Sequence, residues 1–266
     1  MIKLVVSDID GTLLPEGTIE LNPEFFEAVR ELKKKGILFV AASGRPYASM
    51  RKVFAPVADD IIFIAENGSI VMHREKMMSS NFIDPALARE VVEYLRTLPE
   101  CEVMLSVPER VYLETTDQRM YDLLIHGYHM EVAQTDDLMP LCERTNKLSG
   151  YREAGIAPLA AQILDRFSDR LNTMVAGERW IDLMNRTADK GNALAELQKL
   201  MHISREETMA FGDNFNDIGM LQQAEESYAV ANAADGVKRA AKHVAPANTE
   251  DGVLQTVKER LLGGMK

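Results

Sequence analysis

Residues 2–13 read Ile2-Lys3-Leu4-Val5-Val6-Ser7-Asp8-Ile9-Asp10-Gly11-Thr12-Leu13. The apolar, β-branched run Ile2–Val6 predicts a short buried strand, and Ser-Asp-Ile-Asp-Gly closes it as a tight turn. Alternation at a strand end leaves Asp8 and Asp10 one residue apart, and Gly11 supplies the positive φ that a sharp turn needs. Asp8 then points into a crevice while Asp10 approaches it from the turn. Two such carboxylates can divide labour, one as nucleophile and one as acid/base, when their surroundings separate their protonation. Taken alone the stretch also reads as an acidic turn capping a strand.

The same grammar repeats downstream. Asn22-Pro23 predicts a helix start, with Asn22 as N-cap and Pro23 in the first helical position. Phe25, Phe26, Val29 and Leu32 recur at helical spacing until Gly36, and three lysines before Gly36 suit the C-terminal end of the helix dipole. Ile37–Ala42 is a second apolar strand ending in Ser43-Gly44-Arg45-Pro46, and a helical pattern follows. Ile61–Ala65 is a third, closed by Glu66-Asn67-Gly68. Strands alternating with helices predict an α/β fold, a doubly wound, Rossmann-like parallel sheet whose ligands sit beyond the carboxyl ends of the strands.

From about Phe82 the pattern loosens. Residues 86–97 and 158–170 read as amphipathic helices, and 102–107, 110–115 and 172–184 as strands. No carboxylates mark the ends of these strands, so residues 82–186 are expected to form an inserted α+β cap domain. Residues 1–81 and 187–266 are expected to form the core. The opening style resumes after Asp189-Lys190-Gly191 with a helix over Ala193–Leu200 and a strand, Thr208–Phe211, ending in Gly212-Asp213-Asn214-Phe215-Asn216-Asp217. Tyr228–Ala231 and His243–Ala245 read as later strands, and 249–262 as a closing helix.

Composition narrows the partners. The 266 residues carry a net charge of −11, which argues against nucleic acid and anionic membrane as partners. An anionic small substrate is still admissible, because a bound cation can dominate one site. No apolar stretch has the length of a membrane span, and the first residues lack the apolar length of a signal peptide. The two cysteines, Cys101 and Cys142, match no metal spacing and read as small buried hydrophobes, so a reducing cytoplasm is expected. The fifteen methionines read as core filling.

Gly212-Asp213-x-x-Asn216-Asp217 is a second acidic loop after an apolar strand. Two or three oxygen ligands from separate strand ends, completed by water and a phosphate oxygen, suit magnesium. Ser43 ends the second strand, where its hydroxyl and the following backbone N–H groups, with the N-terminus of the next helix, could hold a phosphate oxygen. A plain helix N-cap is the other reading of Ser43. Lys190 opens a helix, where the dipole disfavours a cation, and a phosphate in the same crevice would account for that placement.

Together the four motifs resemble those of the haloacid dehalogenase superfamily: DIDGTL at 8–13, the serine of SGR at 43–45, Lys190 in DKG, and GDNFND at 212–217. The ENG triplet at 66–68 and the GDxxNDxxML form at 212–221 resemble the Cof-type phosphatases within it. The resemblance implies that Asp8 attacks phosphorus, and that Asp10 protonates the leaving oxygen and later deprotonates water. It implies Mg²⁺ held by Asp8, the Asp10 carbonyl and Asp213, with Asp217 behind them or as an occasional direct ligand. Ser43, Gly44 and Lys190 would grip the phosphoryl group, Lys190 would offset Asp8, and Asn216 would hold Lys190 or the phosphate. Thr12 would orient the loop, and Arg45 and Asn67 would line the pocket. Substrate choice would lie in the cap, with Lys147, Tyr151, Arg152 and Glu178 as candidates and Asp182 standing where relatives often carry glutamate. The expected activity is hydrolysis of a small phosphorylated metabolite such as a sugar phosphate. A phosphotransferase or phosphomutase, or a non-enzymatic phospho-acceptor domain, are the alternatives.

Overall fold

The computed structural model describes residues 1–15, 18, 20–127 and 130–263. Strand β1 (Leu4–Asp8) is buried along its whole length, which is why its sequence is apolar throughout rather than alternating. Helix α1 (Pro23–Lys34) starts where Asn22 accepts a hydrogen bond from the Glu24 N–H, and it buries Phe25, Ala28, Val29 and Leu32. Strand β2 (Leu38–Ala42), helix α2 (Tyr47–Val53) and strand β3 (Ile62–Ala65) complete the first βαβαβ run. Strands β4 (Ile70–His73) and β5 (Lys76–Ser80) follow, and the sequence reading missed both. They are joined through Arg74 and Glu75, each at positive φ, which are not residues that advertise a turn.

The second stretch comprises α3 (Pro85–Arg96), β6 (Glu102–Ser106), β7 (Val111–Leu113), α4 (Gln118–Asp122), β8 (Val132–Gln134), β9 (Lys147–Tyr151), α5 (Ala157–Phe167), β10 (Leu171–Val175) and β11 (Trp180–Asn185). The segment 172–184, read as one stretch, is two antiparallel strands parted by a turn with Gly177 at positive φ. Strand β9 was not foreseen, because Lys147, Ser149 and Gly150 give it little β character. The sheet order is β10-β11-β9-β6-β7-β8. Val103, Leu105, Leu148, Ile181 and Leu183 pack with α3 and α5 residues, whereas Met104, Val111, Leu113 and Tyr151 pack with Met120 and Leu124. Cys142 is buried and Cys101 half-buried, and burial pushes the Cys101 thiol up to about 11.

The chain then supplies α6 (Lys190–Met201), β12 (Thr208–Gly212), α7 (Ile218–Gln222), β13 (Glu226–Val230), α8 (Asp235–Ala240), β14 (His243–Ala245) and α9 (Gly252–Val257). The closing helix expected over 249–262 is α9, followed by a wider π turn over Lys258–Leu262. The first sheet has the order β14-β13-β12-β1-β2-β3-β4-β5. Strands β14 to β3 are mutually parallel, and β4 adds antiparallel to β3. By its contacts the chain divides into two compact units, Met1–Ser79 with Asp189–Lys266, and Ser80–Ala188. Among the described residues no helix is long and apolar enough to cross a membrane.

Candidate active site

Strand β1 lies between β2 and β12 in the first sheet, so the chain segments leaving these three strands meet at one end of it. Gly11, at φ +87°, turns the first of them so closely over the third that a Cβ there would collide with the Asp213 carboxylate. Thr12 Oγ1 donates to Asp213 Oδ1 at 2.7 Å, locking the two loops. Asp8, Asp10, Gly11, Ser43, Gly44, Asn67, Lys190, Asp213, Asn214 and Asn216 line a cavity of about 600 Å³, together with Pro15, Asn232 and Asn248.

The floor of the cavity is a buried charge cluster. Lys190 is 1% exposed, and its Nζ donates to Asp8 Oδ1 at 2.5 Å and to Asp217 Oδ1 at 2.7 Å. Asp217 is fully buried, and its Oδ2 accepts the N–H groups of Asp213 and Asn214, both at 3.0 Å. Burial pushes the Asp8 carboxyl well above the usual carboxylate range; Lys190 opposes the shift, and the like charges of Asp217 and Asp213 add to it. Burial raises the Asp213 carboxyl as well, against the hydrogen bond from Thr12. Burial by itself would lower Lys190, but the carboxylates of Asp8 and Asp217 outweigh it and hold the ammonium protonated.

One oxygen from each of Asp8, Asp213 and Asp217 lies within 4.8 Å of the others. This donor set is all-carboxylate and carries more negative charge than Lys190 alone offsets, which suits a hard divalent cation. Asp217 already engages both oxygens with Lys190 and the backbone, so Asp8 and Asp213 are the better placed to share an ion.

At the rim, Arg45 grips Asp10 in a fork, Nε to Oδ2 at 2.9 Å and Nη2 to Oδ1 at 2.5 Å. Ser43 Oγ accepts the Arg45 N–H at 3.1 Å. The sequence placed Arg45 only as a pocket liner; its grip on Asp10 is new. Glu66, Asn67 and Gly68 all take positive φ, an uncommon run for non-glycine residues and one found where a site constrains the chain. This bend lays the Asn67 amide against Gly44 and lets Asn67 Oδ1 accept Asn216 Nδ2 at 3.1 Å. Asn216 is tied to Asn67 here, while Lys190 is engaged by two carboxylates.

The candidates in the second unit are dispersed. Lys147 and Tyr151, candidates for substrate choice, are both buried. Lys147 Nζ is 3.8 Å from Asp182 Oδ2, and Asp182 Oδ1 accepts Ser149 Oγ at 2.6 Å. Tyr151 packs its ring 4.5 Å from that of Trp180 and donates its hydroxyl to Glu153. Arg152 pairs with Glu100 at 2.7 Å, while Glu178 is exposed in the turn before β11.

The family model for haloacid dehalogenase-like hydrolases matches residues 5–257. The chain belongs to this family. It is 33% identical over 258 residues to the 5-amino-6-(5-phospho-D-ribitylamino)uracil phosphatase of Escherichia coli (strain K12), covering 96% of this chain and 95% of that one. A crystal structure from Eubacterium rectale superposes with a TM-score of 0.92 at 31% identity, covering 98% and 99% of the two chains. The fold is also that of a sugar phosphatase of haloacid dehalogenase subclass IIB, TM-score 0.77 at 20% identity, over 99% and 100% of the chains. The Cof-type motifs fit these likenesses. This haloacid dehalogenase-like hydrolase is an enzyme of the phosphatase kind, a phosphoric monoester hydrolase.

Proposed function

We propose that the enzyme is a magnesium-dependent phosphatase that hydrolyses a small phosphorylated metabolite through an aspartyl-phosphate on Asp8. The observation that carries the reading is the buried carboxylate of Asp8 at the floor of an open cavity, fixed by Lys190 and facing Asp213. Lys190 orients Asp8 by one oxygen; the other attacks phosphorus, the Asp8 O–P bond forms and the bond to the alcohol oxygen breaks. Asp10 gives the leaving oxygen its proton. Water then attacks the aspartyl-phosphate, Asp10 takes its proton, and the Asp8 O–P bond breaks to restore the carboxylate. Ser43, the N–H groups after it, and Lys190 hold the phosphoryl oxygens. Magnesium, held by Asp8 and Asp213, would offset the repulsion between carboxylate and phosphate and so lower the barrier to in-line attack.

Arg45 adds a condition. In the fork it occupies both oxygens of Asp10, so proton delivery requires the guanidinium to yield one of them. An arriving phosphoryl group offers Arg45 an alternative anionic partner.

For the substrate we favour a phosphate ester of a sugar or sugar alcohol. The Escherichia coli relative is named for a substrate phosphorylated on a ribityl chain, and the identity to it extends over almost the full length of both proteins. The test is phosphate release from phosphorylated metabolites, that ribitylamino-uracil phosphate among them, and from para-nitrophenyl phosphate, with magnesium and with EDTA. Metal-dependent release supports the reading, and the substrate ranking checks the ribityl assignment. Release from none of them, by folded protein, overturns it.

A further inference from the structure

Two asparagines that line the cavity belong to none of the four motifs. Asn232 follows β13 and Asn248 follows β14, so both stand at carboxyl ends of the two parallel strands that lie beyond β12 on the side away from β1. Asn232 Nδ2 donates to the carbonyl of Gly11 at 2.7 Å. Its Oδ1 accepts the backbone N–H of Asn248 at 3.0 Å, and Asn248 Nδ2 donates to the Leu14 carbonyl at 3.3 Å. The orientation of the Asn232 amide is dictated by these partners, since one faces a donor and the other an acceptor.

We infer that Asn232 is a positioning residue for the reaction, holding the Asp8–Leu14 turn in register with Asp213; this rests on the phosphatase reading above. The physical case starts at Gly11. A glycine at φ +87° between the acid/base and Thr12 leaves its peptides more freedom to rotate than any other residue would. The turn is tied to itself by Gly11 N–H to the Leu14 carbonyl at 2.8 Å, and to Asp213 through Thr12. Neither bond fixes the Gly11 carbonyl. Asn232 does, from the side of the sheet opposite β2, and it is itself steadied by the Asn248 backbone.

The chemistry of the clasp suits its place. A lysine or arginine there would add a cation beside the carboxylates that are to share a metal. A neutral amide supplies the hydrogen bond and leaves the charge of the cavity unchanged.

The experiment compares Asn232→Ala and Asn232→Asp with the unsubstituted enzyme, using para-nitrophenyl phosphate and magnesium, with Tm measured alongside. N232D is isosteric and keeps the acceptor for the Asn248 N–H, but sets an oxygen against the Gly11 carbonyl. The expected result is a kcat loss of about tenfold in N232A, since small misplacements of reacting groups cost rate. A larger loss is expected in N232D, with KM and Tm little changed in both. Full kcat in N232A, N232D equal to the unsubstituted enzyme, or losses that only track unfolded protein would each overturn the inference. An unsubstituted enzyme that hydrolyses nothing brings down the phosphatase reading itself, and this inference with it.

Discussion

The floor and the rim of the cavity each pair a basic side chain with aspartate, to opposite ends. At the floor, Lys190 sits between Asp8 and Asp217 with all three side chains at most 7% exposed. At the rim, Arg45 forks Asp10 with the side chains 20% and 37% exposed. Removing Lys190 from the floor strands the buried carboxylates of Asp8 and Asp217, which is costly; removing one partner at the rim leaves the other to water. The floor is therefore a fixed electrostatic device, and the rim pair is one that can exchange partners during turnover.

The largest effect expected from this contrast is that of Asp8→Asn. Activity falls by roughly a thousandfold or more, since the amide is nearly isosteric but cannot attack phosphorus. Because burial already disfavours the ionised carboxyl, the same variant keeps or gains thermal stability. A Tm well below that of the unsubstituted enzyme would break the account of the floor.

Lys190→Met comes next and acts on both quantities. Losing the ammonium leaves Asp8 and Asp217 buried without their cation, costing about 3–5 kcal/mol by the usual measure of such breaks. Denaturant unfolding checks this, and a stability loss under 1 kcal/mol, roughly what a surface ion pair gives, would place the floor pair in the same class as the rim. Arg45→Gln is milder. It is expected to lower kcat about tenfold with stability unchanged, because a pair this exposed contributes little to folding. Equal destabilisation by R45Q and K190M would erase the contrast.

The smallest effect is on metal-linked stability. Asp8 and Asp213 are both raised above their ordinary values, so the folded protein holds these protons more tightly than the unfolded chain. Without metal, stability is then lost as pH rises from about 4, where free carboxylates ionise, through the raised values. A divalent cation needs the ionised form and offsets that loss. Magnesium is thus expected to raise Tm by a few degrees near neutrality and by less in mild acid. A shift independent of pH would detach these carboxylates from the metal.

The α/β class and the strands carrying Asp8, Ser43 and Asp213 were legible because buried parallel strands write apolar runs, and polar residues at their ends stand out. The N-cap at Asn22 with Pro23 was legible for the same local reason. The hairpin of β4 and β5 was not, because Arg74 and Glu75 adopt a turn conformation that their side chains do not favour. The burial of Lys147 beside Asp182 was not legible, since strand pairing alone brings the two together. Asn232 and Asn248 could have been found. Strands near 228 and 243 were expected, and the strand-end rule that singled out Asp8 and Asp213 applies to them equally.

The position of β1 in the sheet also orders the assembly of the enzyme in time. Lys190, which fixes Asp8, lies 182 positions after it, and Thr12 is bonded to a residue 201 positions on. During synthesis the proposed nucleophile is made well before the residues that surround it. Segment Ser80–Ala188, with hydrophobic clusters of its own, emerges in between and can close its contacts while β1 still awaits β12. A nascent chain halted before residue 208 therefore carries the insert but lacks β12, so the proposed catalytic centre is completed only after the insert has been made.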